Sequence, residues 1–144
     1  MIVPDLNLLI YAVNAQVAAH PKACEWWEAR MNGSERIGLP WVVLLGFLRL
    51  TTSPRVFTSP LSPAESWELV ESWLDWPQTT LLNPGTKHAQ LLKTLVLEHG
   101  TAGNLTTDAH LAALCLEHEA KLHTSDNDFS RFRALRWHNP LLSA

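Results

Sequence analysis

The sequence predicts a compact α/β sandwich that forms a single domain over residues 1–144. Short apolar segments typical of strands alternate with longer segments of helical periodicity, and no repeat, low-complexity tract or linker interrupts them. A chain of 144 residues with 47% hydrophobic residues is large enough to bury one core. Four aspartates lie where predicted strands pass into loops or helices, as in α/β proteins with a site at one edge of a parallel sheet.

Five strands are predicted, each a short and mostly apolar run. They cover approximately residues 1–5, 36–39, 79–82, 121–124 and 135–138. The helices between them are predicted from caps, stop signals and apolar periodicity. The first helix follows Asp5, the second spans His20–Met31 and the third includes Trp41. The fourth runs over 66–76 after a capping box at Ser62, the fifth ends at His99-Gly100, and the sixth starts near Asp108.

Seven tryptophans in so short a chain are assigned mainly to the core and to a subunit contact. Trp67 and Trp73 are predicted to share one broad apolar helix face, while Trp26, Trp27 and Trp41 lie in two other helical segments. Base stacking is the alternative role. Stacking aromatic residues usually lie among basic residues, however, and most of these tryptophans do not.

The charge and the cysteines exclude several classes of protein. A formal net charge of −3 argues against a general nucleic-acid coat, which would bind through a basic face, but it is compatible with a nuclease whose carboxylates are neutralised by divalent ions. No apolar run approaches the roughly 20 residues that span a bilayer and no signal peptide is recognised, so a cytoplasmic protein is expected. Neither a disulfide nor structural zinc is expected from Cys24 and Cys115.

The four aspartates at predicted strand ends are Asp5, Asp108, Asp126 and Asp128. Carboxylates gathered at one edge of a parallel sheet bind hard cations, so the pattern favours metal-assisted phosphodiester chemistry. Asn7 is close enough in sequence to hold a carboxylate or a water. Helix capping, helix-start electrostatics and an ordinary turn remain the alternative roles of these acids.

Basic residues flank the acids in the sequence. Arg131, Arg133 and Arg136 follow the last acidic pair, and Arg49 and Arg55 lie on either side of a Thr-Thr-Ser-Pro segment. Either group could lie beside a phosphate backbone. Ordinary solvated arginines on loops are an equally good interpretation for any one of them.

Four segments of the chain, residues 3–12, 46–57, 108–114 and 124–132, resemble in order the successive blocks of a PIN-domain ribonuclease and, more narrowly, of the VapC toxins of bacterial toxin–antitoxin pairs. The resemblance implies a three-layer α/β/α sandwich with a central parallel sheet of four to five strands. It also implies an endoribonuclease that uses Mg²⁺, or Mn²⁺ as a substitute, and that cuts structured RNA such as transfer or ribosomal RNA to stop translation. The implied partners are a VapB antitoxin and a second copy in a homodimer, with no membrane.

The resemblance also assigns roles to single residues. Asp5, Asp108 and Asp126 match the first, third and fourth acids of the family and are the expected catalytic residues. With Asp128, which matches an additional acid, they are the expected metal ligands. Asn7 and Thr124 match supporting polar positions that hold ligands or waters. Arg49 and Arg131 are the expected RNA contacts, on their positions in the sequence rather than on the resemblance.

The second acid of the family is missing from this chain. It would fall at or near Gly46, yet no Asp or Glu occurs in residues 40–59. A site with fewer anionic ligands still suffices for one Mg²⁺ that keeps several waters, so a one-ion resting site is expected. A Gly46→Glu variant is expected to bind Mn²⁺ more tightly.

Two other classes of protein compete with this interpretation. Receiver and haloacid-type phosphotransfer domains also place aspartates at strand ends. The haloacid pattern, however, needs an acid where Asn7 stands, and a receiver needs one after the third strand, which ends at Leu82-Asn83-Pro84. The stronger competitor is a catalytically degenerate PIN-fold module that acts by binding, which the missing acid and the acidic charge balance favour.

Overall fold

The computed structural model describes residues 1–142, and its strands follow the predicted positions closely. They are β1 (Ile2–Pro4), β2 (Ile37–Pro40), β3 (Thr79–Leu82), β4 (Lys121–His123) and β5 (Trp137–His138). All neighbouring strands pair in parallel, in the order β3-β2-β1-β4-β5. The strand β5 has two residues rather than the four predicted.

Within residues 1–142, six helices and one short 3-10 helix connect the strands. They are α1 (Leu6–Val13), α2 (His20–Met31), α3 (Trp41–Thr51), α4 (Pro63–Leu74), α5 (His88–His99), α6 (Leu105–Glu117) and the 3-10 helix Asn127–Arg131. The predicted capping box is present at the start of α4, where the Ser62 hydroxyl accepts from the Glu65 N–H and the Glu65 carboxylate accepts from the Ser62 N–H.

The direction of the crossovers explains the layers. From β1 to β3 the chain moves towards one edge of the sheet, whereas the connection from β3 to β4 returns across it. Because such crossovers are right-handed, α1 to α4 lie on one face and α5 and α6 on the other. The close packing of α1 with α2 and α3, of α3 with α4, and of α5 with α6 agrees with this arrangement. The predicted three-layer α/β/α sandwich is therefore confirmed.

The core explains why the central strands are apolar throughout. β1 and β2 are buried at every residue, as expected for parallel strands that are covered on both faces. Phe47 from α3 and Phe129 from the 3-10 helix are among the largest fully buried side chains. Cys115 is also buried, and burial raises the pKa of its thiol to about 12, so it behaves as an apolar residue.

The tryptophans divide between the core and the surface. Trp26, Trp27 and Trp73 are buried, whereas Trp41 and Trp67 are 39% and 43% exposed. The prediction that Trp67 and Trp73 share one face was wrong. At about 100° per residue, side chains six residues apart in a helix point in different directions.

Within residues 1–142, the structure has no helix of the length and apolar content that crossing a lipid bilayer requires.

Candidate active site

The sheet topology brings the first acid beside the last pair. In the parallel pairing of β1 with β4, Pro4 lies next to His123, so the following residues, Asp5 and Thr124, emerge together at the carboxyl edge of the sheet. The Asp5 N–H donates to the His123 carbonyl at 2.8 Å. The helix α6 precedes β4 and runs back against it, so the first turn of α6, which contains Asp108, lies at the same edge.

Asp5 has both carboxylate oxygens engaged. Its Oδ1 accepts from the Leu6 N–H at 2.8 Å, which confirms the predicted cap of α1, and its Oδ2 accepts from the Thr124 hydroxyl at 2.6 Å. Burial raises the pKa of Asp5 more than these two hydrogen bonds lower it, and the charge of Asp126 raises it further. Asp5 is therefore a well-positioned carboxylate whose negative charge is poorly compensated.

Thr124 connects Asp5 to the second acidic segment. Its side chain is fully buried, and its hydroxyl accepts from the Asp126 N–H at 3.0 Å while it donates to Asp5. Asp126 then caps the 3-10 helix by accepting from the Asp128 N–H at 2.9 Å. One hydroxyl thus fixes the spacing of two acids that are 121 residues apart in sequence.

The pKa of Asp108 responds to the charges of the other three acids. Its pKa is raised to about 6, first by burial and then by the charges of Asp5, Asp126 and Asp128, while Arg131 opposes the shift. The Arg131 Nε also donates to the Asp128 carbonyl at 3.1 Å, which holds the guanidinium at this edge. The structure therefore brings together the four acids and one arginine singled out in the sequence.

Replacing Asp108 with asparagine is expected to stabilise the protein at neutral pH. The pKa of Asp108 is about 6 in the folded chain and 3.8 as an ordinary value, so its ionisation removes stability as the pH rises through this interval. The variant should unfold at a higher temperature than the parent at about pH 8, with the difference shrinking towards about pH 4. Thermal unfolding of both proteins across this pH range measures the effect.

An equal effect of Asp108→Asn at both ends of the pH range would contradict this prediction, because a change in packing does not titrate. Asp75→Asn is the matched control, since it replaces an exposed acid at the end of α4 by the same amide.

Asn7 adds a neutral oxygen near the acids. Its Oδ1 is buried and has no hydrogen-bond partner among residues 1–142. Buried amide oxygens are normally paired, so this one is available to a water or a cation. Asn7 lies in the first turn of the helix that Asp5 caps.

The donor set fits a hard divalent cation of the Mg²⁺ type. Within the described part of the chain, no three His, Cys, Asp or Glu side chains are arranged closely enough to hold a metal ion by themselves. Mg²⁺, however, needs only one or two carboxylates because it keeps several waters. A bound cation would offset the mutual repulsion of the acids. It would also give the unpaired Asn7 Oδ1 a partner.

Gly46 is buried in α3, and the space beside it is already filled. A Cβ built at this glycine would lie 2.4 Å from Cδ2 of Leu6, the residue that follows Asp5. An apolar contact between α1 and α3 therefore occupies the position at which the resemblance predicts a second acid. Leu6 was not identified from the sequence as part of the site. The one feature that could have indicated its role is that it is an apolar residue directly after Asp5.

A Gly46→Glu variant is therefore expected to lose about 1–3 kcal/mol of stability, because Leu6 must move. We expect tighter Mn²⁺ binding only when Leu6→Ala accompanies it and makes room for the carboxylate. Chemical denaturation and calorimetric Mn²⁺ titration of the single and double variants measure both effects.

Gly46→Ala is the control for this experiment, since it adds the steric contact without the charge. Tighter Mn²⁺ binding by the single Gly46→Glu variant at unchanged stability would contradict the prediction.

The predicted RNA contacts occupy different surroundings. The charge of Arg131 lowers the pKa of Asp108. Arg49 is exposed in the last turn of α3 and does not contribute to the shifted pKa of either Asp5 or Asp108. Of the two, only Arg131 is brought to the acids.

Residues 2–135 match the PIN domain family. The chain is 45% identical to Ribonuclease VapC33 of Mycobacterium tuberculosis, over 98% of this chain and 99% of the relative. It is 40% identical to Ribonuclease VapC37 of the same species, over 97% of both chains.

A solved structure supports the fold independently. The structure of VapBC2 from Rickettsia felis, bound to a DNA fragment from its promoter, matches with a TM-score of 0.66. The match covers 96% of this chain and 98% of the other at 19% identity.

Proposed function

Because the chain belongs to the PIN-domain family and, within it, to the VapC ribonucleases, we propose that it is the toxin of a toxin–antitoxin pair and cleaves RNA at the four-acid edge of its sheet. The observation that carries the proposal is the shared field of Asp5, Asp108, Asp126 and Asp128, which raises the pKa of Asp108 to about 6. Clustered acids with shifted pKa values are typical of catalytic sites rather than of a structural scaffold.

The chemistry proposed is hydrolysis of a phosphodiester bond by water. Either Asp5 or Asp126 accepts a hydrogen bond from the attacking water and orients it in line with the leaving oxygen. Thr124 keeps these two acids at a fixed spacing through its two hydrogen bonds. Arg131, which lies close enough to Asp108 to lower its pKa, is the proposed contact for a phosphate of the substrate.

Mg²⁺, or Mn²⁺ in its place, is the proposed cofactor, and Asp5, Asp108, Asp126 and Asp128 are the proposed ligands with Asn7 in support. When bound, such an ion supplies a Lewis acid and offsets the negative charge that the phosphate and the acids bring together. The acids alone would repel an RNA backbone, so this neutralisation explains how a chain of net charge −3 can act on RNA.

We propose structured RNA, of the transfer or ribosomal type, as the substrate, and therefore a site of action in the cytoplasm. Arg131, Arg133 and Arg136 are all exposed beyond the acidic pair and offer local positive charge for the backbone of such an RNA. Arg49 is proposed as a more distant contact on α3.

A VapB antitoxin and a second copy of the chain are the proposed protein partners. Trp41 and Leu45 are 39% and 59% exposed, and they lie four residues apart on the same side of α3. Large exposed apolar side chains that adjoin on one helix are typical of a contact surface.

The test is to incubate the purified protein with total bacterial RNA in Mn²⁺, in Mg²⁺ and in EDTA, beside an Asp126→Asn variant. We expect discrete fragments with either ion and none in EDTA or with the variant. A matched Asp75→Asn variant, which changes one exposed acid, should cut as the parent does.

The second candidate is a catalytically degenerate PIN-fold module that acts by binding. The observation in its favour is the apolar contact of Gly46 with Leu6 where the family has an acid. Intact RNA under every condition would favour this module over the ribonuclease.

A further inference from the structure

The large apolar side chains that remain exposed are concentrated in one part of the chain. Among residues 1–142, four of the six lie in α3, in the loop 52–62 that follows it and in α4, and they are Trp41, Leu45, Val56 and Trp67. We call the exposed face of these three segments the α3–α4 surface. Exposed apolar residues concentrated in this way are typical of a surface that another molecule covers.

Internal contacts hold the segments of this surface in place. The Thr51 hydroxyl at the end of α3 and the Ser66 hydroxyl in the first turn of α4 share a buried hydrogen bond of 2.7 Å. The Leu61 N–H donates to the Thr51 carbonyl at 2.9 Å, and Phe57 anchors the loop in the core. Because the surface is already fixed, a partner can bind it without the cost of ordering the loop.

The charges of the α3–α4 surface are divided into two halves. Residues 40–59 contain two arginines and no acid, whereas residues 60–78 contain four acids and no basic residue. Two arginines and two glutamates of the surface are exposed, and no ion pair within residues 1–142 involves them; they are Arg49, Arg55, Glu68 and Glu71. Both signs of charge are therefore left unmatched in the single chain.

A second copy of the chain matches this division of charge. A two-fold axis places a surface against itself with its halves exchanged, so the basic half of each copy meets the acidic half of the other. Within one chain, by contrast, Glu68 and Glu71 lie three residues apart on α4 and repel each other. An RNA backbone fits this surface less well, because the acids of α4 would repel its phosphates.

We propose that a second copy of this chain covers the α3–α4 surface across a two-fold axis. Arg49 and Arg55 of each copy then lie against Glu68 and Glu71 of its partner, and the exposed apolar side chains pack between the copies. Burial of the apolar side chains supplies the affinity, and the charges select this orientation. The proposal rests on the second copy in the proposed function, to which it assigns a surface, and it is independent of RNA cleavage.

The test is analytical ultracentrifugation of the full chain over a wide range of concentration, where we expect a dimer that dissociates on dilution. Arg55→Glu, and separately Glu68→Lys with Glu71→Lys, should each raise the Kd of the dimer about tenfold, because each change brings like charges together. Arg55 is chosen because Arg49 is also a proposed RNA contact. The variant with all three changes restores opposite charges across the axis and should regain part of the lost affinity.

Arg133→Glu and Glu25→Lys are the matched controls, since each reverses one exposed charge outside the α3–α4 surface and should leave the Kd unchanged. Thermal unfolding of every variant verifies that it is folded. A chain that stays monomeric at every concentration overturns the proposal and leaves the surface to another protein. Controls that weaken the dimer as strongly as the surface variants, or a triple variant no tighter than either partial one, also overturn it.

RNA cleavage by the same samples separates this proposal from the proposed function. A dimer with the expected charge dependence that leaves RNA intact would support the proposed surface and contradict only the ribonuclease. A monomer that cleaves RNA would contradict only the proposed surface.

Discussion

Replacing Asp5 with asparagine is expected to lower the rate of RNA cleavage about 10³-fold while the fold is kept. Asparagine has the same shape, and its carbonyl oxygen can still accept from the Leu6 N–H that caps α1. The amide group that replaces Oδ2 faces the Thr124 hydroxyl, which can accept as well as donate. The negative charge alone is lost, and the proposed mechanism depends on that charge.

The measurement is the initial rate of cleavage of a fluorescently labelled RNA, with thermal unfolding of the same samples. Asp75→Asn serves as the control, since it removes one exposed acid outside the cluster and changes the net charge equally. An Asp5→Asn variant that retains most of the activity would exclude Asp5 from the chemistry. A variant that cleaves slowly because it is largely unfolded would be recognised by its unfolding curve.

The arrangement of the acids could be predicted from the sequence because it depends on local signals. The apolar run that ends at Asp5 predicts β1, and the helix and strand that precede Asp126 predict a crossover to a parallel neighbour. Parallel strands end at the same edge, so their following residues meet there. The two strand ends are indeed adjacent, with Pro4 beside His123.

The contacts that fix the site could not be predicted, because they join residues that are distant in sequence. The sequence shows that Gly46 is not an acid, but only the packing of α1 on α3 shows that Leu6 fills the space. Thr124 was expected to support the site, yet its simultaneous bonds to Asp5 and to the Asp126 N–H depend on the strand register. Trp67 does not share the buried face of Trp73, because the apolar content of a helix predicts a common face only when the helical phase is also considered.

Replacing Trp27 with alanine is expected to have the largest effect on stability, about 3–5 kcal/mol. Trp27 is buried, and its ring centre lies 5.2 Å from that of Trp26 and 5.6 Å from those of Trp73 and Trp76. Removing the ring leaves a cavity among three aromatic neighbours. For a chain of this length the unfolding temperature should fall by about 10 °C, which calorimetry measures.

Two matched variants show whether packing is the cause. The Trp27 indole N–H is buried without a hydrogen-bond partner in residues 1–142, so Trp27→Phe, which removes it but keeps a ring, should cost only about 1–2 kcal/mol. Trp67→Ala should cost less than about 1 kcal/mol, because Trp67 is 43% exposed in the single chain. An equally large loss from Trp67→Ala would contradict that assignment. If that loss depended on protein concentration, it would show that Trp67 is buried between two copies of the chain.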